Sequence, residues 1–167
     1  MTAVDPSSAL PRPSRAQLQD WRTFLRAHAY MLRRLEADLL AAGHPPLAMY
    51  DVLVQLSEAP DRRLRMVELA DAVLLSRSGL TRLVDRMEAE GYVRREPSPD
   101  DARGIFAVMT DKGLSTLRAA SRTHLAGVSE HVIDRLTPSE LAGLGVACLK
   151  LLSDGPNHPT KPEPTSN

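Results

Sequence analysis

Near its N-terminus the chain carries apolar or partly apolar side chains at intervals of three and four residues. This spacing places them on one side of an α-helix that runs from Ser14 to about Ala42. At 1.5 Å per residue such a helix spans roughly 40 Å, more than a domain of this size needs for its own core. We therefore expect part of the stripe to face a second subunit. Its members are Leu18, Trp21, Leu25, His28, Leu32, Leu35 and Leu39.

The composition favours one mostly helical domain. At 167 residues the chain has the length of a single domain that can bury its own core. Aromatic residues at 4% and only 9 glycines are few for an all-β fold with many turns. Because 21 basic residues balance 21 acidic ones, any nucleic-acid surface must come from the local arrangement of charge.

The chain shows no sign of export or membrane insertion. The single cysteine, Cys148, excludes an internal disulfide and a CxxC site. The first residues lack the apolar core of a secretory signal, and no run of about 18 apolar residues occurs. We expect a cytoplasmic protein without a membrane partner.

Turn formers and capping residues divide the rest of the chain into short elements. Gly43 ends the first helix, and Pro46 suits the first turn of a helix that runs to about Glu58 with Leu53 and Leu56 facing inward. The elements predicted after it are a strand at 63–65, a helix at 66–73 with Val67, Ala70 and Val73 on one side, a helix from Ser76 to Glu90, strands at 92–96 and 105–109, a helix from Thr110 to about Leu136, and a last helix from Thr137 to about Ser153.

Two short helices joined by a tight turn and followed by a hairpin are typical of a winged helix-turn-helix. The second of these helices is two-sided at 100° per residue. Small hydroxyl groups at its N-terminus allow close approach to a groove, the helix dipole favours phosphate, and arginine can bind guanine through two hydrogen bonds. The apolar side comprises Leu80, Leu83, Val84 and Met87, and the polar side comprises Ser78, Thr81, Arg82 and Asp85 with Arg86 at the margin.

The hairpin carries basic residues on its first strand and near its tip. Arg94 and Arg95 lie on the strand, and Arg103 lies near the tip beside Asp100 and Asp101. An arginine at a loop tip suits a narrow minor groove, where the negative potential is strong. The alternative interpretation is an exposed loop with a local ion pair.

These residues resemble the multiple-antibiotic-resistance regulator (MarR) family of bacterial transcription factors. The resemblance lies in LLSRSGLTRLVDRMEAEGYVRRE and DARGIFAVMTDKG, and it extends over about 21–152. The family's wing pattern is Asp-x-Arg, three residues, Val-x-Leu-Thr, two residues, Gly. Asp101, Arg103, Thr110 and Gly113 match it, Ala107 and Met109 keep the strand apolar, and Ala102 replaces an arginine that is common in the family.

The resemblance implies a mainly α-helical fold with a small β-hairpin wing, assembled as a homodimer. It also implies that the first, fifth and sixth helices interlock, that two winged lobes bind adjacent major grooves, and that a small-molecule effector often binds between the two parts. The expected organisation is a disordered tail at 1–14, a dimerisation helix at 15–45, a winged helix-turn-helix at 46–109, dimerisation helices at 110–153 and a disordered proline-rich tail at 154–167.

The leading hypothesis is a sequence-specific regulator, most often a repressor in such families, that binds a pseudo-palindromic operator in double-stranded DNA. The alternative is a winged-helix protein-interaction adaptor that has lost DNA binding, which the neutral net charge and Ala102 support. Salt-dependent binding to duplex DNA separates the two, because phosphate contacts release counterions. The candidate DNA-binding residues are Ser76, which is also the predicted N-cap, Arg77, Ser78, Thr81 and Arg82 at base edges and nearby phosphates, Arg86 and Arg95 at the DNA backbone, and Arg103 in the minor groove. Asp101 is expected to orient Arg103.

Other reactive side chains fit no catalytic or metal-binding pattern. His28, Tyr50 and His124 are candidates for a ligand pocket, or else ordinary polar groups of an interface or core. His124 lies roughly 10 Å from His131 along one helix, too far to chelate one ion without partners elsewhere. Cys148 is expected to pack on the apolar stripe of the last helix. We expect no cofactor, no metal and no enzymatic activity.

Overall fold

A computed structural model describes residues 12–73, 75–98 and 104–153. The chain folds into six α-helices and a small three-stranded antiparallel sheet within these ranges, so the predicted fold class is confirmed. The helices and strands are α1 (Arg15–Ala41), α2 (Leu47–Glu58), β1 (Arg63–Arg65), α3 (Met66–Ala72), α4 (Arg77–Ala89), β2 (Val93–Pro97), β3 (Ile105–Met109), α5 (Asp111–His131) and α6 (Pro138–Leu152), with short 3-10 turns at Pro60–Arg62 and Ile133–Arg135.

Several helix starts follow from local capping chemistry. Ser14 is the N-cap of α1, which begins at Arg15. The Ser14 hydroxyl accepts a hydrogen bond from the backbone amide of Gln17 at 3.2 Å. Thr137 and Glu140 form a reciprocal capping box at the start of α6, as predicted. Pro46 occupies the N-cap position of α2 and supplies no side-chain cap.

Two predicted features of the helices are wrong. α5 ends at His131 and not near Leu136, because Val132 leaves helical geometry at φ −128° and ψ −64° and a 3-10 turn follows. The buried side of α3 comprises Leu69 and Ala70, whereas Val67 is exposed. A repeat of three residues drifts by 60° per step on a helix, so Val67 turns away from the core, while Val73 is partly buried and packs against it as predicted.

The sheet joins β1 to the hairpin in the order β1-β3-β2. Arg63 pairs with Val108 and Arg65 with Phe106, so the strand between α2 and α3 runs antiparallel to the inner strand of the wing. The sequence predicted the strand and the hairpin separately. Their pairing ties the helix-turn-helix to the base of the wing.

The core lies around α2, which contributes Val52, Leu53 and Leu56 with almost no solvent contact. The apolar side of α4 packs against it as predicted, with Leu80, Leu83, Val84 and Met87 all buried. In contrast, α6 has no buried residue. The last helix therefore leaves its apolar surface uncovered in a single chain.

Some predictions fall outside the described residues. The proposed tails at 1–14 and 154–167 lie outside except for residues 12–14. The wing tip at 99–103, including Asp101, Ala102 and Arg103, also lies outside, so their proposed roles remain predictions.

Candidate nucleic-acid interface

The polar side of α4 faces solvent from its first turn. Ser76 is the N-cap, and its hydroxyl accepts the amide proton of Gly79 at 3.1 Å. Ser78 lies beside it, with 3.4 Å between the two hydroxyl oxygens, and the Thr81 hydroxyl donates to the Arg77 carbonyl at 2.9 Å. These contacts hold three small hydroxyl side chains at an exposed helix start, where free backbone amides favour an anion.

Three arginines on α4 keep their guanidinium groups available. Arg77, Arg82 and Arg86 are exposed, and none of them forms a side-chain hydrogen bond or ion pair with another described residue. A guanidinium without an internal partner can bind a phosphate or the paired acceptors of guanine without first breaking a contact. The structure thus brings Ser76, Arg77, Ser78, Thr81, Arg82 and Arg86 together on one continuous surface.

Arg95 has internal partners instead. Its guanidinium lies 2.7 Å from Asp85 Oδ1 and 2.7 Å from Glu88 Oε2, and it donates to the Thr81 carbonyl at 3.3 Å. The side chain is only 24% exposed. The expected contact of Arg95 with the DNA backbone would require these bonds to break. Arg94, the neighbouring residue, pairs within its own strand with Glu96 at 2.7 Å.

A groove of about 420 Å³ separates α4 from the sheet, and β1 contributes to it. Thr81 and Asp85 of α4 line it, together with Arg95 of β2, Arg65 of β1 and Ile105 of β3. Arg65 also donates to the Ser98 hydroxyl at 3.3 Å and lies over the Phe106 ring beside Arg63. The sequence analysis assigned no function to these two arginines. Arg63 and Arg65 are two residues apart in β1, and this spacing could have shown that their side chains lie on the same face of the strand.

The three candidate ligand-pocket residues do not form one site in the chain. Tyr50 and His124 stack with 4.4 Å between ring centroids, and the Tyr50 hydroxyl lies 3.5 Å from the Ser121 hydroxyl. His28 is exposed on α1, where it stacks on Phe24 at 6.4 Å. Burial lowers the pKa of His124, while the Asp51 carboxylate acts in the opposite direction. Desolvation raises the pKa of Asp51, with His124 lowering it and Glu36 raising it to a smaller extent.

An open groove of about 590 Å³ lies between α1 and α2. Leu32 and Leu40 of α1 and Leu47 of α2 give it apolar lining, together with Val73 and Leu75 of the segment that precedes α4. The Glu36 carboxylate at its edge accepts the amide proton of Leu47 at 2.5 Å, which caps α2 where Pro46 cannot. The groove therefore connects the long first helix with the turn that precedes the exposed face of α4.

Other kinds of site find no support in the described ranges. Within 12–73, 75–98 and 104–153, no three histidine, cysteine, aspartate or glutamate side chains are grouped closely enough to hold a metal ion. None of the described helices combines the length and apolar character of a membrane span. Cys148 is half-buried on α6, next to neighbours that remain exposed.

A two-sided helix at the end of a helix-turn-helix, flanked by a β-hairpin, defines the winged-helix class of DNA-binding regulators. The sequence profile of the MarR family matches residues 46–104, which include α2 to β2. Solved structures of MarR family regulators are similar to this chain over most of its length. The chain belongs to the MarR family of transcriptional regulators, as the sequence resemblance predicted.

Two solved structures and one curated relative document this membership. AbsC, a MarR family regulator from Streptomyces coelicolor, is 38% identical with a TM-score of 0.78, covering 84% of this chain and 95% of AbsC. Sco3205 from the same organism, solved in complex with DNA, is 36% identical with a TM-score of 0.81, covering 87% of this chain and 91% of Sco3205. The multiple antibiotic resistance protein MarR of Escherichia coli is 29% identical over 86 residues, 52% of this chain and 60% of that protein's length.

Proposed function

We propose that this protein regulates transcription by binding operator DNA through α4 and the wing. The observation that carries the proposal is the exposed side of α4, which carries three small hydroxyl groups and three guanidiniums that pair with no other described residue. A related regulator, Sco3205, has been solved in complex with DNA. The role proposed for this chain is a non-enzymatic one, most simply repression, in the bacterial cytoplasm.

We propose that the DNA-binding form is a homodimer. In a single chain many large apolar side chains of α1 and α6 are exposed, although Leu35 and Leu39 of α1 are buried in the core. Such a contiguous apolar surface is typical of a subunit interface. Two equivalent recognition helices would then lie one turn of DNA apart. The exposed apolar residues on these helices include Leu18, Trp21, Phe24, Leu25, Leu144, Val146, Leu149, Leu151 and Leu152.

Selection of bound sequences from a random duplex pool tests both proposals. The expected site is a pseudo-palindrome with half-sites about 10 to 10.5 base pairs apart. Binding should weaken steeply with salt, because each neutralised phosphate releases counterions. An adaptor that does not bind DNA would return no enriched sequence, and a monomer would return a single half-site.

Arg82→Ala should lower affinity for the selected site more than affinity for random duplex. A bidentate contact between arginine and guanine contributes about 1 to 3 kcal/mol of discrimination, which a phosphate contact does not provide. Fluorescence anisotropy with both duplexes measures the two losses. Equal losses would assign Arg82 to the phosphate backbone only.

We also propose that a small-molecule effector binds in the groove between α1 and α2. A ligand there would contact α1 and, through Val73 and Leu75, the turn leading into α4. Ala48 also lines this groove. A thermal-shift screen of aromatic acids and amphipathic amines should give hits that Ala48→Trp abolishes, because the indole would fill the groove. Hits that survive this substitution would place the effector elsewhere, with Tyr50 and His124 as the next candidates.

A further inference from the structure

Arg95 connects the wing to α4 through four separate contacts. Besides its three guanidinium contacts with Thr81, Asp85 and Glu88, its backbone amide donates to Glu88 Oε1 at 3.0 Å. The three partners lie four and three residues apart on α4 and therefore occupy one face of the helix. We call these four residues the Arg95 cluster.

The chemistry of the Arg95 cluster is specific to arginine. A planar guanidinium presents five donors in a fixed fork, so it can serve two carboxylates and a carbonyl at the same time. Lysine has a single ammonium group and cannot reproduce this geometry. An isolated exposed pair contributes little, but here the arginine is largely covered and its contacts form a network.

The Arg95 cluster also controls the charge on the proposed DNA surface. Asp85 and Glu88 remain 55% and 40% exposed, and Asp85 faces the same groove as Thr81. Two unpaired carboxylates here would repel phosphate, and a free aspartate could also accept a hydrogen bond from cytosine. The single positive charge of Arg95 lies against both carboxylates and offsets one of their two negative charges.

We infer that Arg95 is a positioning residue for sequence recognition, which holds α4 at a set angle to the wing and masks Asp85 and Glu88 from the DNA. The inference rests on the proposed DNA binding and changes the role expected for Arg95 from a phosphate contact to an internal one. Its effect on DNA passes through the two carboxylates. When the two carboxylates are removed, a substitution of Arg95 should therefore have a much smaller effect on DNA affinity.

The test is a double-mutant cycle in the full-length protein. Arg95→Met is made in the wild-type background and in an Asp85→Asn, Glu88→Gln background, and affinity is measured for the selected site and for random duplex over a range of salt. Arg94→Met is the matched control, because Arg94 is the adjacent residue and pairs only with Glu96 of its own strand among described residues.

In the wild-type background, Arg95→Met should weaken binding to the selected site about tenfold and lower the ratio of specific to random binding. In the carboxylate-free background the same substitution should cost about twofold or less, because neighbours in one network are not additive. Arg95→Lys should keep only part of the wild-type ratio of specific to random binding, and Arg94→Met should keep all of it. A general loss of folding would lower the active fraction and the thermal midpoint but would leave the ratio intact.

The inference would be overturned if Arg95→Met lost the same affinity in both backgrounds and reduced the slope of log affinity against log salt concentration by about one. That result would show that Arg95 contacts phosphate. Failure of the wild-type protein to bind any duplex would refute the proposed function instead. In that case amide hydrogen exchange without DNA still tests the cluster. Faster exchange along β2 and α4 in Arg95→Met than in Arg94→Met supports the connection, and identical exchange in the two variants overturns it.

Discussion

At the scale of single residues, the most buried polar contact outside the proposed DNA surface joins α1 to α5. His131 Nε2 lies 2.6 Å from Asp38 Oδ2, and the imidazole is 1% exposed. Gly127 allows this approach, since a Cβ there would lie 3.0 Å from the same carboxylate oxygen. A buried ring nitrogen without its partner has no access to water, so the contact is expensive to lose.

Asp38→Ala should therefore reduce the free energy of unfolding by about 1 to 3 kcal/mol, the usual cost of leaving a buried polar group without a partner. Urea denaturation at equal protomer concentration measures the change. Asp38→Asn should cost less, because an amide oxygen can still accept a hydrogen bond. Glu130→Ala is the control, since its exposed carboxylate lies 3.8 Å from the other ring nitrogen. A loss for Glu130→Ala as large as that for Asp38→Ala would contradict this assignment.

His124 should make stability depend on pH in the weakly acidic range. Its pKa is lowered in the folded chain by burial, so the unfolded state binds the proton more readily. Stability should fall as the pH drops from about 7.5 to 5.5 through the ordinary histidine range. The raised pKa of Asp51 acts in the opposite direction and at lower pH.

His124→Phe tests this dependence because it keeps the ring that stacks on Tyr50 and removes the titrating group. The difference in unfolding free energy between wild type and variant should shift in favour of the variant as the pH falls. The same denaturant series at three pH values measures it. A difference that stays constant with pH would contradict the role of His124.

At the scale of elements, α5 begins directly against the backbone that leads into the wing. The Thr110 hydroxyl caps α5 by accepting from the Gly113 amide at 3.0 Å and donates to the Gly91 carbonyl at 2.7 Å. The backbone amide of Thr110 donates to the Tyr92 carbonyl at 3.0 Å. This contact links the helix that is proposed to dimerise with the hairpin that is proposed to bind DNA.

Gly113→Ala should disturb this junction. A Cβ at Gly113 would lie 2.2 Å from the Tyr92 carbonyl oxygen, and this backbone atom cannot move away easily because it directly precedes β2 and accepts the Thr110 amide. We expect a loss of about 1 to 3 kcal/mol in unfolding free energy, typical of overpacking. Thermal and urea denaturation measure it. Ser115→Ala, on the exposed side of the same helix, should change stability little, and equal effects of the two substitutions would argue against the close contact.

At the scale of the whole molecule, the protomer is well packed around α2 and poorly covered around α6. Leu149, Leu151 and Leu152 are all more than half exposed at the end of α6. The apolar stripe of α1 is exposed in the same way at Trp21 and Leu25. Both observations agree with a second copy that covers these helices.

Leu149→Glu should weaken the proposed dimer, because a charge in an apolar interface must be desolvated without a partner. Sedimentation velocity at micromolar concentration should show a shift toward monomer, together with loss of binding to the two-half-site duplex. Ile105→Glu is the control for sedimentation only, since Ile105 is an exposed apolar residue on β3 rather than on α1 or α6, but it lines the groove beside α4 at the proposed DNA surface. Identical sedimentation of wild type and both variants would place the interface on another surface.

Local sequence determined much of this protein. Ser76, Thr110 and Thr137 cap helices through groups within three residues, and the 3.6-residue period of α4 separates its buried side from its exposed arginines. These features depend on neighbours along the chain, so they could be predicted, and with them the winged-helix class and the family. The positions of Thr81 and Arg82 on the exposed face followed from the same period.

Only the tertiary structure decided how side chains pair between elements. Arg94 and Arg95 are adjacent in sequence, yet one pairs within its strand and the other crosses to α4, because successive side chains of a strand point to opposite faces. His131 and Asp38 are 93 residues apart, and the pairing of β1 with β3 joins segments that no local pattern connects. Such contacts depend on the packing of distant elements, and periodicity along one element contains no information about that packing.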